Sequence, residues 1–370
     1  GKSKMYDYII VGAGLAGAVF TKCAIDNGKS VLIVDRREEI GGNCACEDIS
    51  GITVHKYGAH IFRTDDKELW KWLNSIREFY PFVNTPMAKY GNEIYNLPFN
   101  MNTFHELWGV RTPAEARRKI EQQRVNCIEP KNLEQWALSV AGIDIYEKLI
   151  KGYTEKQWGK KCTELPKDIM RRIPLRFVYD NNYYTAKYQG IPDGGYSALI
   201  ADMISGATVA LGVDWCKAEQ REKHKDIAKK IVYTGALDEL YGYEYGDLEY
   251  RGLTFITETM SEDDVQGVAV VNYTGDEPYT RIIEHKHFNP RKWVDGVTVI
   301  TREFPTEWKR GDERYYPIND EKNEAVYKRY RAKAEADGLI LCGRLADYRY
   351  YDMAETIYSA LEAWKKEQQR

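Results

Sequence analysis

The segment that most restricts how this chain can fold is Gly12-Ala-Gly14-Leu-Ala-Gly17. It follows a strand-like run, YDYIIV, and opens a small-residue helix that runs from Leu15 to the neighbourhood of Asn27 and stops at Gly28. The first glycine permits a tight turn, the second lets a backbone approach a pyrophosphate, and the third lets helix and strand pack closely. The helix N-terminus then faces the phosphates. A second strand, SVLIV, closes on Asp35, where a dinucleotide fold places its ribose-holding acid. This βαβ opening predicts a parallel sheet and a dinucleotide held by Gly12, Gly14, Leu15, Ala16, Gly17, Asp35 and Arg36.

The chain has 370 residues, 43% hydrophobic and 29% charged, and single cores rarely exceed about 250–300 residues, so more than one domain is expected. A net charge of −3 argues against nucleic acid or an anionic membrane as the main partner. No apolar run approaches the roughly 20 residues that span a bilayer. Gly1 to Lys4 carry no hydrophobic signal and read as added residues ahead of Met5. Seven cysteines without a Cys-x-x-Cys pair suit reduced thiols and a cytoplasmic location. The 28 tyrosines and 9 tryptophans suit a site that stacks on flat rings and hydrogen-bonds sugars.

Between 103 and 162 three helix starts follow one another: Thr112-Pro-Ala-Glu115, Asn132-Leu-Glu-Gln135 and Asp144-Ile-Tyr-Glu147. From 174 to 192 and from 245 to 304 the pattern shifts towards a period of two, with GVAVVNYT, YTRIIEHKHF and GVTVITREF as strand-like runs of an antiparallel sheet. The chain ends strand–loop–helix, a unit expected to return to the first sheet and make its domain discontinuous. His285-x-His287 would point to one face of a strand with no acidic or cysteine partner at ligand spacing, so no metal is expected.

After Asp35 come five residues and then Gly41-Gly42-Asn43, an extension that resembles FAD proteins of the glutathione-reductase and amine-oxidase type. Ile231-Val-Tyr-Thr-Gly235 and Gly343-Arg344 fit the same class, which adds Gly42, Asn43, Gly343 and Arg344 to the cofactor set. A second Gly-x-Gly-x-x-Gly is lacking, so no nicotinamide domain is expected and any electrons for the flavin come from an external reductant.

Four segments go further: His55-Lys-Tyr-Gly-Ala-His60-Ile-Phe, Gly152-Tyr-Thr-Glu-Lys-Gln-Trp158-Gly, Tyr279-Thr-Arg281-Ile-Ile-Glu-His285-Lys and Gly343-Arg-Leu-Ala-Asp-Tyr-Arg-Tyr350-Tyr-Asp352. With Asn96-Leu-Pro-Phe-Asn-Met-Asn102 and Arg172-Ile-Pro, they resemble the bacterial UDP-galactopyranose mutases over essentially the whole chain. The resemblance implies an α/β fold in three parts. These are a discontinuous Rossmann-like FAD domain (5–78, 193–244 and 315–370), a helical domain with a mobile loop (99–165), and a twisted antiparallel sheet domain (79–98, 166–192 and 245–314). It implies a homodimer and a non-redox isomerisation of UDP-galactopyranose to UDP-galactofuranose through an adduct between the sugar and N5 of reduced FAD. Such chemistry needs fixed positive charge on the departing diphosphate, which guanidinium supplies.

Matched residue by residue, the resemblance gives Arg172 and Arg281 to the diphosphate clamp, Tyr153 to the uracil, Trp158 to the closing loop and Asn84 to the sugar side. Tyr183, Tyr315 and Tyr350 fall to the diphosphate, with Tyr316 easily confused with Tyr315. His60 falls beside the flavin, and Asp352 with Met353 at the cavity edge, where Asp352 reads equally as the N-cap of the last helix. Arg63 departs from the family's usual His. A guanidinium there could hold an acetamido carbonyl, which points to UDP-N-acetylgalactosamine as a further substrate; a surface charge beside Asp65 and Asp66 is the plainer role. An FAD oxidoreductase of the amine-oxidase type and a flavin-free escort protein on the same fold are the rival expectations.

Overall fold

The computed structural model describes residues 5–170 and 172–370, so Gly1 to Lys4 and Arg171 lie outside the account. Five parallel strands form the first sheet, in the order Thr208–Leu211, Val31–Asp35, Tyr6–Val11, Ala228–Tyr233 and Ile340–Leu341. Tyr8 and Ile10 face a core shared with helices Leu15–Asp26 and Met353–Gln368, while Ile9 and Val11 face a second core containing Trp215, Leu237 and Tyr330. Burial on both faces is what unbroken apolar runs dictate. Tyr8, Phe20 and Trp364 meet edge to face at centroid distances of 5.3, 5.4 and 6.2 Å, fixing the last helix against the first.

A second sheet of seven strands runs Tyr316–Pro317, Tyr250–Met260, Thr298–Glu307, Arg281–Glu284, Val270–Tyr273, Met87–Tyr90 and Glu93–Asn96. It is antiparallel except where Val270–Tyr273 pairs parallel with Met87–Tyr90, a mixture that the period-two pattern does not reveal. Tyr316–Pro317 pairs with Tyr250 and Arg251, carrying this sheet past the expected border at 314. Phe62–Thr64, Tyr188–Pro192 and Phe79–Pro81 form a separate three-stranded sheet. Of the stretch 174–192, only Tyr188–Pro192 is a strand. Upstream, the backbone instead follows single bonds, Arg176 N–H to the Phe99 carbonyl and Tyr183 N–H to the Asn84 carbonyl.

Helices Met101–Trp108, Pro113–Gln123 and Leu133–Ala141 surround a core of Phe104, Ile120, Leu133 and Tyr146. The Thr112 and Asn132 side chains accept from the backbone N–H of Glu115 and Gln135, so both caps form as expected. The third start moves: Gly142 precedes the helix, and Asp144 instead accepts from Trp108 Nε1 at 2.7 Å and Gln123 Nε2 at 2.8 Å. The chain continues through a wider turn, Tyr146–Ile150, into helix Lys151–Trp158, which docks on the second sheet.

Candidate active site

Where the carboxyl ends of the parallel strands meet the second sheet and helix Lys151–Trp158, a cavity of about 680 Å³ opens. Every predicted site residue except Arg172 and Trp158 lines it. At one end stands the glycine turn. Gly12 has φ +112°, and a Cβ there would lie 2.0 Å from Thr234 Oγ1. A Cβ on Gly17 would lie 1.9 Å from the Gly12 carbonyl oxygen. Gly14 caps helix Leu15–Asp26 without a side-chain bond, leaving the first N–H groups for a ligand. Asp35 first holds the turn itself, accepting from Ala13 N–H at 2.8 Å and Arg37 N–H at 2.9 Å, while its edge still lines the cavity.

These features fit a dinucleotide. Arg37, also on the wall, has a buried Nη1 without a hydrogen-bond partner. Arg36 is held by Glu239 at 3.3 Å and Glu313 at 3.7 Å. Arg344 is half-buried and donates to the carbonyls of Tyr315 at 2.5 Å and Arg314 at 3.1 Å, and among the described residues no carboxylate lies within ion-pair distance of it. Burial, with Arg344 nearby, pushes His60 down to about 4, so it faces the cavity as neutral imidazole. Its backbone N–H donates to His55 Nδ1, and His55 N–H donates to His285 Nδ1.

At the other end, Arg281 Nη2 donates to Tyr153 Oη at 3.0 Å. Glu303 Oε2 lies 3.3 Å from Arg281 Nε but off its N–H direction, so the pair is ionic rather than a formed hydrogen bond. Tyr350 reaches the same cluster, its ring 5.4 Å from that of Tyr316. Both members of the doublet line the cavity, but Tyr316 lies beside Arg281, Tyr153 and Glu303, whereas Tyr315 packs its ring on Phe255 and faces Glu313 and Arg37. Asn84 is buried with Oδ1 unpartnered, and Asn272 shows the same orphan oxygen on the cavity wall. Arg63 lies 3.7 Å above the Tyr184 ring and 3.4 Å from Asp352, so its charge is paired there rather than with Asp65 or Asp66. Asp352 caps the last helix through Glu355 N–H at 2.8 Å and borders the cavity with Met353, so both of its roles coexist.

A family model described as UDP-galactopyranose mutase matches residues 148–350, and a Rossmann-like NAD(P)-binding model matches 10–76. The chain is 38% identical over 360 residues to the probable UDP-galactopyranose mutase of Klebsiella pneumoniae, covering 96% of this chain and 92% of that one. This chain belongs to the UDP-galactopyranose mutase family. It is an enzyme of that flavin-dependent group of isomerases. Within similar reach is a dTDP-fucopyranose mutase of Escherichia coli, 35% identical over 97% of both chains. The crystal structure of a reduced UDP-galactopyranose mutase superposes with a TM-score of 0.72 at 13% identity, covering 100% of this chain and 94% of that one. A putative protoporphyrinogen oxidase from Exiguobacterium gives 0.62 at 12% over the full length of both, a likeness of fold alone. No helix among the described residues is long and apolar enough to cross a membrane.

The mutase-family residues missing from the cavity are informative. Arg172 is exposed and off the wall, while Trp158 ends its helix half-buried against the helical core. Residues that sequence reasoning missed are Tyr184, Gln157, Asn272 and Glu303, all on the wall. One signal was available: the Tyr-Tyr doublets 183–184, 315–316 and 350–351 place all six rings in the lining. His285 is buried in a short turn, not a strand, and bonds Thr301 Oγ1 at 2.7 Å. His287 does meet acids, Asp264 at 2.8 Å and Glu284 at 3.6 Å, which linear spacing concealed. Their oxygens already accept from Val265, Gln266 and Gly267 N–H and the Thr298 hydroxyl, so the trio forms a closed ionic clasp.

Proposed function

We propose that this enzyme interconverts the pyranose and furanose forms of UDP-galactose, and that Arg63 lets it accept UDP-N-acetylgalactosamine as well. The observation that carries the reading is one continuous cavity joining the glycine turn to Arg281, Tyr153 and the tyrosine doublets. FAD, when bound and reduced, supplies a nucleophilic N5 for the anomeric carbon. Gly12, Gly14, Gly17 and Arg344 would hold its phosphates and ring. Arg281 sets a fixed charge against the departing diphosphate, with Glu303 and Tyr153 keeping its fork aimed. Tyr316 and Tyr350 offer hydroxyl donors to the diphosphate, and Tyr153, given to the uracil by the resemblance, reaches the same end of the cavity through its bond from Arg281. His60, neutral at working pH, offers hydrogen bonds without adding charge beside the flavin. A homodimer, an outside reductant, a cytoplasmic setting and supply of polysaccharide synthesis belong to the same reading and rest on the family resemblance.

The test incubates dithionite-reduced protein with UDP-galactose, UDP-N-acetylgalactosamine and dTDP-fucose and resolves the products by chromatography. Furanose products without net consumption of reductant support the mutase. Stoichiometric consumption of reductant or oxygen would instead make it an oxidoreductase, and a preference for dTDP-fucose would move the substrate to that of the E. coli relative. In Arg63→His the N-acetyl activity should fall by roughly 1.5–3 kcal/mol in kcat/KM, the worth of a hydrogen bond to charge, with UDP-galactose spared. An unchanged ratio removes Arg63 from sugar recognition. Arg172→Ala with unchanged kcat/KM removes that residue from the clamp.

A further inference from the structure

Helix Lys151–Trp158 brings Tyr153 and Gln157 to the cavity, yet it belongs to the helical region, whereas Arg281 belongs to the second sheet. The Tyr153–Arg281 contact therefore depends on how tightly the helix docks on the loop that joins strands Val270–Tyr273 and Arg281–Glu284. Two features press them together. Gly152 lies so close to the Thr274 carbonyl that a Cβ would sit 1.9 Å from its oxygen. Thr274 Oγ1 donates to the Lys148 carbonyl at 2.5 Å. The third contact is a side chain: Lys156 Nζ donates to the carbonyls of Tyr273 at 2.6 Å and Tyr279 at 3.0 Å, one on each limb of that loop.

This ammonium has no carboxylate within ion-pair distance among the described residues, although Asp276 and Glu277 stand in the same loop. Burial pushes it down to about 8, with Glu277 and Asp276 opposing the fall. A cation placed on two carbonyls, with no ion pair, serves geometry more than charge balance. It gathers both limbs of the loop one turn of helix beyond Tyr153 and two residues before Arg281.

We propose that Lys156 is a positioning residue of the nucleotide-diphosphate site, clamping helix to loop so that Tyr153 and Arg281 present one pre-set surface to the diphosphate. The proposal rests on the mutase reading for the identity of the ligand, and it is tested through binding of UDP itself. Flavin-loaded parent, Lys156→Met and Lys156→Arg are titrated with UDP by calorimetry, with flavin content, Tm, and KM and kcat for UDP-galactose measured beside them. Lys156→Met keeps the aliphatic stem, so flavin content and Tm stay near the parent while UDP binding and KM worsen roughly tenfold or more, as the two charge-assisted bonds that dock helix on loop are lost. The change in kcat is smaller. Lys156→Arg, which still donates to two carbonyls, recovers most of the affinity. UDP affinity in Lys156→Met equal to the parent overturns the role, as does a loss that Arg fails to recover or a loss that tracks a collapse in Tm. A parent that binds UDP tightly but isomerises nothing removes the proposed reaction while leaving Lys156 to be judged by the same titrations. A parent that binds no UDP overturns both.

Discussion

Arg281 enters the cavity with Glu303 and Tyr153 already arranged around it, so its truncation strands a buried carboxylate as well as removing a charge. Arg281→Ala should lower kcat/KM for UDP-galactose by roughly 3–5 kcal/mol, the cost of losing one desolvated charge-assisted contact to the diphosphate, while the flavin absorbance per chain stays at the parent level. Retained turnover would remove it from the clamp. A finer comparison separates Tyr315 from Tyr316. Tyr316→Phe should reduce kcat/KM about tenfold, one hydrogen bond to a charged partner, and Tyr315→Phe should leave it within about twofold; steady-state kinetics on both variants decide. Neighbouring residues of a strand point to opposite faces, so a one-residue ambiguity in Tyr-Tyr becomes a choice between the Arg281 cluster and Phe255. That is why the doublet was legible as a feature while the member that lies beside Arg281 was not. Arg63 was legible as an oddity, but its partners Asp352 and Tyr184 come from distant parts of the chain and nothing local announces them.

Local structure was most readable where a short stretch decides it. The glycine turn, the second strand closing on Asp35 and the Thr112 and Asn132 caps all depend on side chains within a few positions. Gly17→Ala tests the turn: with 1.9 Å between the new Cβ and the Gly12 oxygen, helix and strand must part, and the purified variant should be short of flavin by absorbance. Reading failed where a distant group competes for the backbone or side chain. Asp144 is drawn to Trp108 and Gln123, and the strand at 281–284 ends where Glu284 turns to bond Val265 and Gln266 N–H. The clasp formed there has a definite pH window. Burial opposes charge on His287, yet Glu284 and Asp264 raise it above its usual 6.5, so its contribution is full below that value and fades as pH climbs through the raised one. Burial opposes charge on Glu284 too, but hydrogen bonds hold it at about 2, so its contribution is full above its usual 4.5 and fades towards about 2. His287→Asn should therefore lower Tm most between those two usual values and progressively less in alkali, as a pH series of melting curves will show; a deficit that grows in alkali would contradict the clasp.

Three histidines held as neutral rings, His55 and His285 buried and His60 half-buried on the cavity wall, affect the molecule as a whole. Burial lowers His55 and His60, and it takes His285 down to about 3. Their folded values lie below 6.5, so on acidification the unfolded chain takes up protons that the folded chain refuses. Each should remove about 1.4 kcal/mol of stability per pH unit below 6.5 until its folded value is reached, measurable by urea unfolding between pH 7 and 5. A flat profile would mean that these rings protonate in place. Parallel pairing also decides how this protein must be made. The sheet beneath the glycine turn is completed by Ala228–Tyr233 and Ile340–Leu341, and helix Met353–Gln368 covers its first helix. A ribosome therefore releases the turn early but the strand beside it hundreds of residues later. Until then the nascent N-terminal unit has an open sheet edge and an uncovered apolar face. A chain lacking the final helix should therefore lose both Met353 and Thr356 from the cavity wall and the cover of the first helix, and truncated protein should come through purification without flavin absorbance.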